Sequence, residues 1–112
     1  MARLSPAMLS QLAEASKMPE PLPTAYDKLR PEERRQLRVA YAGYQGGACW
    51  FCKHQLDADP SPGVMAAVID WRAFPPGFLT HPVHLHHSHT TGLTIGAVHA
   101  RCNAYLWQYH GQ

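Results

Sequence analysis

The residues best suited to chemistry in this chain fall in two short stretches. The first is His84-Leu85-His86-His87-Ser88-His89, which holds four of the eight histidines. Core packing has no use for such a cluster, whereas imidazole serves as a base near neutral pH and as a metal ligand. In a strand, alternate side chains share a face, so His84 and His86 lie together and His87 points the other way. One ring of the adjacent pair can then hold a metal while the other stays free as a base. The second set is split between Cys49-x-x-Cys52 and His99-x-x-Cys102. Three thiolates and one imidazole in two short-spaced pairs suit tetrahedral Zn2+, and together they use every cysteine of the chain. His54 is an alternative fourth ligand, giving C-x-x-C-x-H. A closed four-ligand zinc has no open position, so its role is structural. A redox dithiol would need a βαβ context that the sequence does not offer.

These stretches must be positioned by a few short elements. His81 to His87 reads as a strand and Leu93 to Val98 as its partner, joined through Ser88 to Gly92. Arg101 to about His110 reads as a helix ending before Gly111. Cys49 to Lys53 is a knuckle, Asp57 to Gly63 a loop, Val64 to Trp71 a candidate strand, and Phe74 to Gly77 a turn. Trp71, Tyr105, Leu106 and Trp107 are expected in the core rather than as base-stacking residues. Upstream, Ser5-Pro6 opens a short helix over about 6 to 17, and the prolines of Met18 to Pro23 impose an extended linker. A second helix is predicted from Pro31 to about Tyr44, stopped by Gly46-Gly47. Its Leu37, Ala40, Tyr41 and Tyr44 should face the core. Arg34, Arg35 and Arg38 lie largely on the other side, which reads either as a solvated charged face or as a phosphate-contacting one. The chain thus divides into an N-terminal helical arm, 1–47, and a zinc-bound domain, 48–112.

With 112 residues, ten prolines and eight glycines, the second half has little apolar material for a core, which makes a metal staple valuable. An odd cysteine count argues against a disulfide framework and for a reducing compartment. No apolar run approaches a membrane span and no leader pattern is evident, so a soluble cytoplasmic protein is expected. The net charge of +2 is too small to identify a partner by itself.

The segment from His84 to Gly92, followed by Gly96-Ala97-Val98-His99-Ala100-Arg101-Cys102-Asn103, resembles the recombination endonuclease VII branch of the HNH nucleases. That family joins a C-x-x-C knuckle to His-x-Asp-His-x-His, Thr-Gly, a Gly-rich strand, and C-x-x-C-Asn opening a helix. The resemblance covers Cys49–Cys52 and His84 onward; residues 1–47 and 53–80 lie outside it. It implies an α+β fold: a zinc-stapled ββα-metal (His-Me finger) domain, here preceded by two N-terminal helices.

By the same resemblance His87 matches the general base. His86 and Asn103 match the ligands of a catalytic divalent metal, His89 a phosphate-contacting histidine, and His84 a histidine flanking the site that meets nucleic acid. Cys49, Cys52, His99 and Cys102 match the structural zinc ligands. Two positions depart from the pattern: His86 replaces an aspartate and His99 a cysteine. The first matters for metal choice, because Mg2+ or Mn2+ prefers oxygen ligands while imidazole also admits Ni2+ or Zn2+. His110 reads as a surface histidine, with a third metal ligand as the alternative. The implied activity is metal-dependent hydrolysis of DNA, with nicking or branched-DNA resolution among its forms. Arg34, Arg35, Arg38, Lys53 and Arg101 would contact phosphate. A homodimer and a phage or bacterial origin are likewise implied. The competing classes are a non-catalytic zinc-binding nucleic-acid module and a protein–protein adaptor.

Overall fold

A computed structural model describes residues 22–111. The helix expected over about 6 to 17 and most of the proline-rich linker lie outside the described residues. The protein is a small mixed α+β fold around one two-stranded antiparallel sheet. Strand β1 is Val83–His87 and strand β2 is Thr94–His99. Leu85 pairs with Ala97 and His86 with Gly96, and the register is irregular between His86 and His87. The connection turns on Ser88, whose Oγ accepts the Thr90 and Thr91 N–H groups, and on Gly92 at a φ of 75°.

Helix α1, Pro31–Tyr44, starts where proline occupies the first turn and the Glu33 carboxylate accepts the Arg30 N–H. Such a proline and acidic first turn favour initiation. Leu37 and Ala40 are buried, and Leu37 meets Leu85 and Leu29 in a small apolar cluster. Tyr41 is half-buried and its hydroxyl bonds Thr94 Oγ1 at 2.8 Å. Tyr44, expected inward, is 61% exposed: at the end of α1 it is Gly43 that is buried and Gln45 that reaches β2, and Tyr44 between them points outward. Helix α3, Ala100–His110, follows β2 without a loop and closes on Gly111 at a φ of 71°. The sheet therefore lies between α1 and α3.

The stretch expected to be a strand, Val64 to Trp71, is not one. Pro62–Ala66 forms a short helix, α2, and Trp71–Ala73 a 3-10 turn. Pro62 at the helix start pre-sets that backbone, and the outer edge of β2 is already filled. Gln45 occupies it with its side chain: Oε1 accepts Ala97 N–H at 2.9 Å and Nε2 donates to Ala97 O at 2.9 Å. Trp50 N–H also reaches Ala97 O, and Thr94 N–H reaches Thr24 O. Val64 instead joins the core with Leu106, and Arg101 donates to the carbonyls of Val64, Met65 and Ala67.

Gly96 is where this sealing leaves no room. A Cβ there would sit 2.8 Å from Gln45 Oε1 and 3.0 Å from Trp50 Cγ. Gly96→Ala should cost about 1–3 kcal/mol through this overpacking. A thermal midpoint equal to wild type would show that Gln45 and Trp50 are free to move aside.

Candidate metal centre and histidine cleft

Cys49, Cys52, His99 and Cys102 form a cluster that could bind zinc, with ligand atoms all within 4.8 Å of one another. The knuckle supplies the first pair. Cys49 N–H bonds His54 O, Lys53 N–H bonds Cys49 O, and Lys53 takes a φ of 69° to complete the reversal. The corner between β2 and α3 supplies the second pair. His99 Nδ1 lies 3.5 Å from Cys52 Sγ and 3.6 Å from Cys102 Sγ. Nitrogen and sulfur on one tetrahedral zinc stand about 3.5 Å apart, so the donor set fits.

The hydrogen bonds of the His99 ring point the same way. His99 Nε2 donates to Gln55 O at 2.8 Å and Ala58 O at 3.0 Å. Both partners are carbonyls, so the proton sits on Nε2 and the Nδ1 lone pair faces the sulfurs. His99, not His54, is the imidazole of the cluster. The thiols are electrostatically crowded. A hydrogen bond from Cys102 is the main reason that the Cys49 thiol lies well below its ordinary value, with backbone N–H groups adding and burial opposing. The same bond, burial and the neighbouring sulfurs push Cys102 up. A dication relieves a buried set in which the sulfurs cannot all ionise unaided.

The histidines of β1 divide between two environments. His84 and His86 both reach Asn103 of α3. Asn103 Nδ2 donates to His84 Nδ1 at 3.1 Å, and its Oδ1 accepts from His86 Nδ1 at 3.2 Å. His86 is only 1% exposed, and its buried Nε2 has no hydrogen-bond partner among the described residues. Two cis ligands on a cation with bonds of about 2.1 Å stand about 3 Å apart. The His86–Asn103 pair has that separation as a hydrogen bond with the proton on His86 Nδ1, so the ring would have to turn to offer a lone pair to an ion there.

His87 takes a different place. Its ring stacks on Tyr26 at 3.9 Å and 9°, with His89 behind at 5.0 Å and 14°. Tyr26 is held beside the hairpin by its N–H to Gly92 O, and the Arg34 guanidinium lies 4.0 Å over its other face. Burial lowers the pKa of His84, His86 and His87 alike, and the His89 charge adds to the effect at His87.

His84, His87, His89 and Asn103 line one cleft of about 470 Å³, and Arg38 borders it. His86 lies behind this wall. The other expected phosphate contacts are dispersed. Arg35 is exposed beside Glu32 at 3.7 Å. Lys53 bonds Trp50 O, and Arg101 braces α2 against α3, its guanidinium engaged by three carbonyls. His110 is exposed beside Phe51 of the knuckle and Tyr105 of α3. Sequence reasoning missed Tyr26, Phe74 and Phe78 as cleft residues and placed Trp107 in the core. Only Trp107 carried a signal, its i+4 spacing from Asn103 on α3.

Comparison with protein-family models, with curated proteins and with solved structures gave no match. The fold and site therefore define a small α+β protein with a Cys3His cluster compatible with structural zinc. Among the described residues, no helix is long and apolar enough to cross a membrane.

If the cluster staples the fold, chelation should unfold the protein cooperatively, and Cys102→Ser should lower zinc content and the thermal midpoint together. Retention of full stability without metal would remove the staple. The histidines predict the pH dependence. Their folded-state pKa values lie below the unfolded value of about 6.5, so the folded state binds fewer protons. Their contribution is present above that pH and lost as pH falls through the folded values. At saturating zinc, the thermal midpoint should fall from pH 7.5 to 5.5, and less steeply in His86→Gln. A midpoint that rises on acidification would contradict the burial argument.

Proposed function

We propose that the protein is a metal-dependent DNA endonuclease of the HNH class, hydrolysing phosphodiester bonds to 5′-phosphate and 3′-hydroxyl ends with His87 as general base. One observation carries this reading: a ring-stacked imidazole of lowered pKa shares a cleft with Asn103, whose Oδ1 lies 3.2 Å from a second imidazole. The resemblance of His84–Asn103 to the endonuclease VII branch supports the same assignment. A neutral His87 accepts the proton of the attacking water, and its stack on Tyr26 holds the ring plane while leaving the ring edge to react. A divalent cation on His86 and Asn103 would offset charge on the phosphate and the leaving oxygen. Arg38, His84 and His89 border the cleft where phosphate oxygens would lie.

A second reading is a non-catalytic zinc-binding nucleic-acid module on the same scaffold. The burial of His86 favours it, because a catalytic cation needs open positions toward solvent.

Supercoiled-plasmid cleavage separates the two. Wild type should nick or linearise the plasmid with at least one of Mg2+, Mn2+, Ni2+ and Zn2+. His87→Ala should lose on the order of 10²-fold or more while keeping its structural zinc. DNA binding without turnover under every metal, or full activity in His87→Ala, selects against His87 as base.

A further inference from the structure

The cleft has a second wall that the hydrolytic chemistry leaves unused. Phe74 meets Trp107 at 5.3 Å and 69°, and Phe78 at 4.9 Å. Phe78 in turn meets His84 edge-on at 4.6 Å, so the aromatic wall runs directly into the histidine wall. These rings do not close into a core. Trp107 is 43% exposed, while the neighbouring Leu106 carries the buried face of α3. The rings are nevertheless held in place. Gln108 bonds Val68 O and Asp70 N–H, which clamps the segment bearing Trp71 and Phe74 to α3.

Trp107 stands one helical turn beyond Asn103 on the same face, about 6 Å along the axis. A ring there lies within one nucleotide of a phosphate held at Asn103. Arg38, His87 and His89 line the same cleft, and among the described residues no carboxylate does. Aromatic faces beside a guanidinium and imidazole hydrogen-bonding groups are the composition of sites that bind single strands, where bases stack on the rings and the backbone meets the basic groups. A base inside a duplex presents only its edge, because both faces are stacked on neighbours.

We infer that the cleft seats an unpaired nucleobase against Trp107 and Phe74, so that the substrate is single-stranded DNA or DNA with an unpaired nucleotide at the cleavage position. This rests on the endonuclease reading and adds the form of the substrate. The sequence alone favours a core role for Trp107; its exposure on the cleft is what reverses that expectation.

The test is fluorescence anisotropy with the zinc-loaded full chain and no added divalent cation. The probes are a labelled oligo(dT) strand of about twelve nucleotides, its oligo(rU) counterpart, and a blunt mixed-sequence duplex of equal length. Wild type should bind the DNA strand about tenfold more tightly than the duplex. Trp107→Leu, which keeps an apolar side chain but removes the π face, should weaken strand binding by about five- to hundredfold. Duplex binding should stay within about twofold, and Trp107→Phe should recover most of the loss. Zinc content and circular dichroism identify any variant that fails to fold. If the Leu variant does, Phe74→Leu decides the question, since it removes the other stacking face and should weaken strand but not duplex binding; unchanged strand binding there overturns the inference. Equal affinity for strand and duplex, or identical behaviour of the Leu and Phe variants, overturns the inference. Preferential binding of the RNA strand overturns its assignment to DNA. Trp107-dependent strand binding with no cleavage under any metal sinks the endonuclease reading alone. Cleavage of duplex and strand at equal rates, still dependent on His87, sinks this inference alone.

Discussion

The structure hangs on one corner. His99 is the last residue of β2 and the residue from which α3 starts, and its two ring nitrogens face different segments. Nδ1 points into the sulfurs of Cys52 and Cys102, and Nε2 donates to the carbonyls of Gln55 and Ala58. One side chain thus joins the knuckle, the following loop, the strand and the helix. Its importance follows from how little else is available. A sheet of two strands is marginal in water without packing on both faces. The larger apolar cluster is built around Cys49, Cys102, Val98 and Leu106, so two cluster ligands are also core residues. Binding of a metal by this cluster and formation of the core would then be one event, as expected where ligands are dispersed in the unfolded chain.

The outer edge of β2 shows how the remaining backbone is satisfied, and why residues before the knuckle reach the histidines at all. Ala97 turns its N–H and C=O away from β1, and the Gln45 amide answers both. The Thr24–Tyr26 segment covers the start of the same edge through Thr94 and Gly92. An exposed edge invites association with another strand, and covering it removes that risk. The same cover carries Tyr26 onto the ring of His87 and Arg34 onto Tyr26. Edge protection and placement of the candidate base are therefore a single arrangement.

Much of this was legible in the residues and their spacing. The Cys3His set, the order of strand, strand and helix, and a helix from Pro31 to Tyr44 all rest on local signals. These are ligand spacing, alternation, a proline start and a Gly-Gly stop. What escaped notice depends on which surfaces remain free once the chain has folded. Val64–Trp71 has an apolar composition suited to a strand, but Gln45 and Trp50 already hold the free edge of β2. Trp71 and Trp107 have side chains suited to a core, yet Leu106 and Val64 fill that space and leave both tryptophans on the surface. Tyr26 carries no motif, and the pairing of its backbone with the hairpin loop, with Arg34 bonded to its carbonyl, brings it to His87.

Asn103 explains why the two histidines it touches differ from the rest. Its amide has one donor end and one acceptor end here, giving to His84 Nδ1 and taking from His86 Nδ1. That assigns opposite tautomers to two rings on the same strand face: His84 carries its proton on Nε2, and neutral His86 keeps a lone pair there. The lone pair of His86 is buried and, among the described residues, unmatched. An unmatched buried acceptor costs about 1–3 kcal/mol. A water or cation reaching that nitrogen removes the penalty, and a ring turn would offer His86 and Asn103 Oδ1 to one ion at the cost of their mutual hydrogen bond. The unmatched nitrogen thus sits on the ring that is hydrogen-bonded to Asn103, away from the Cys3His cluster. A core chosen for stability alone would have placed an apolar side chain at position 86.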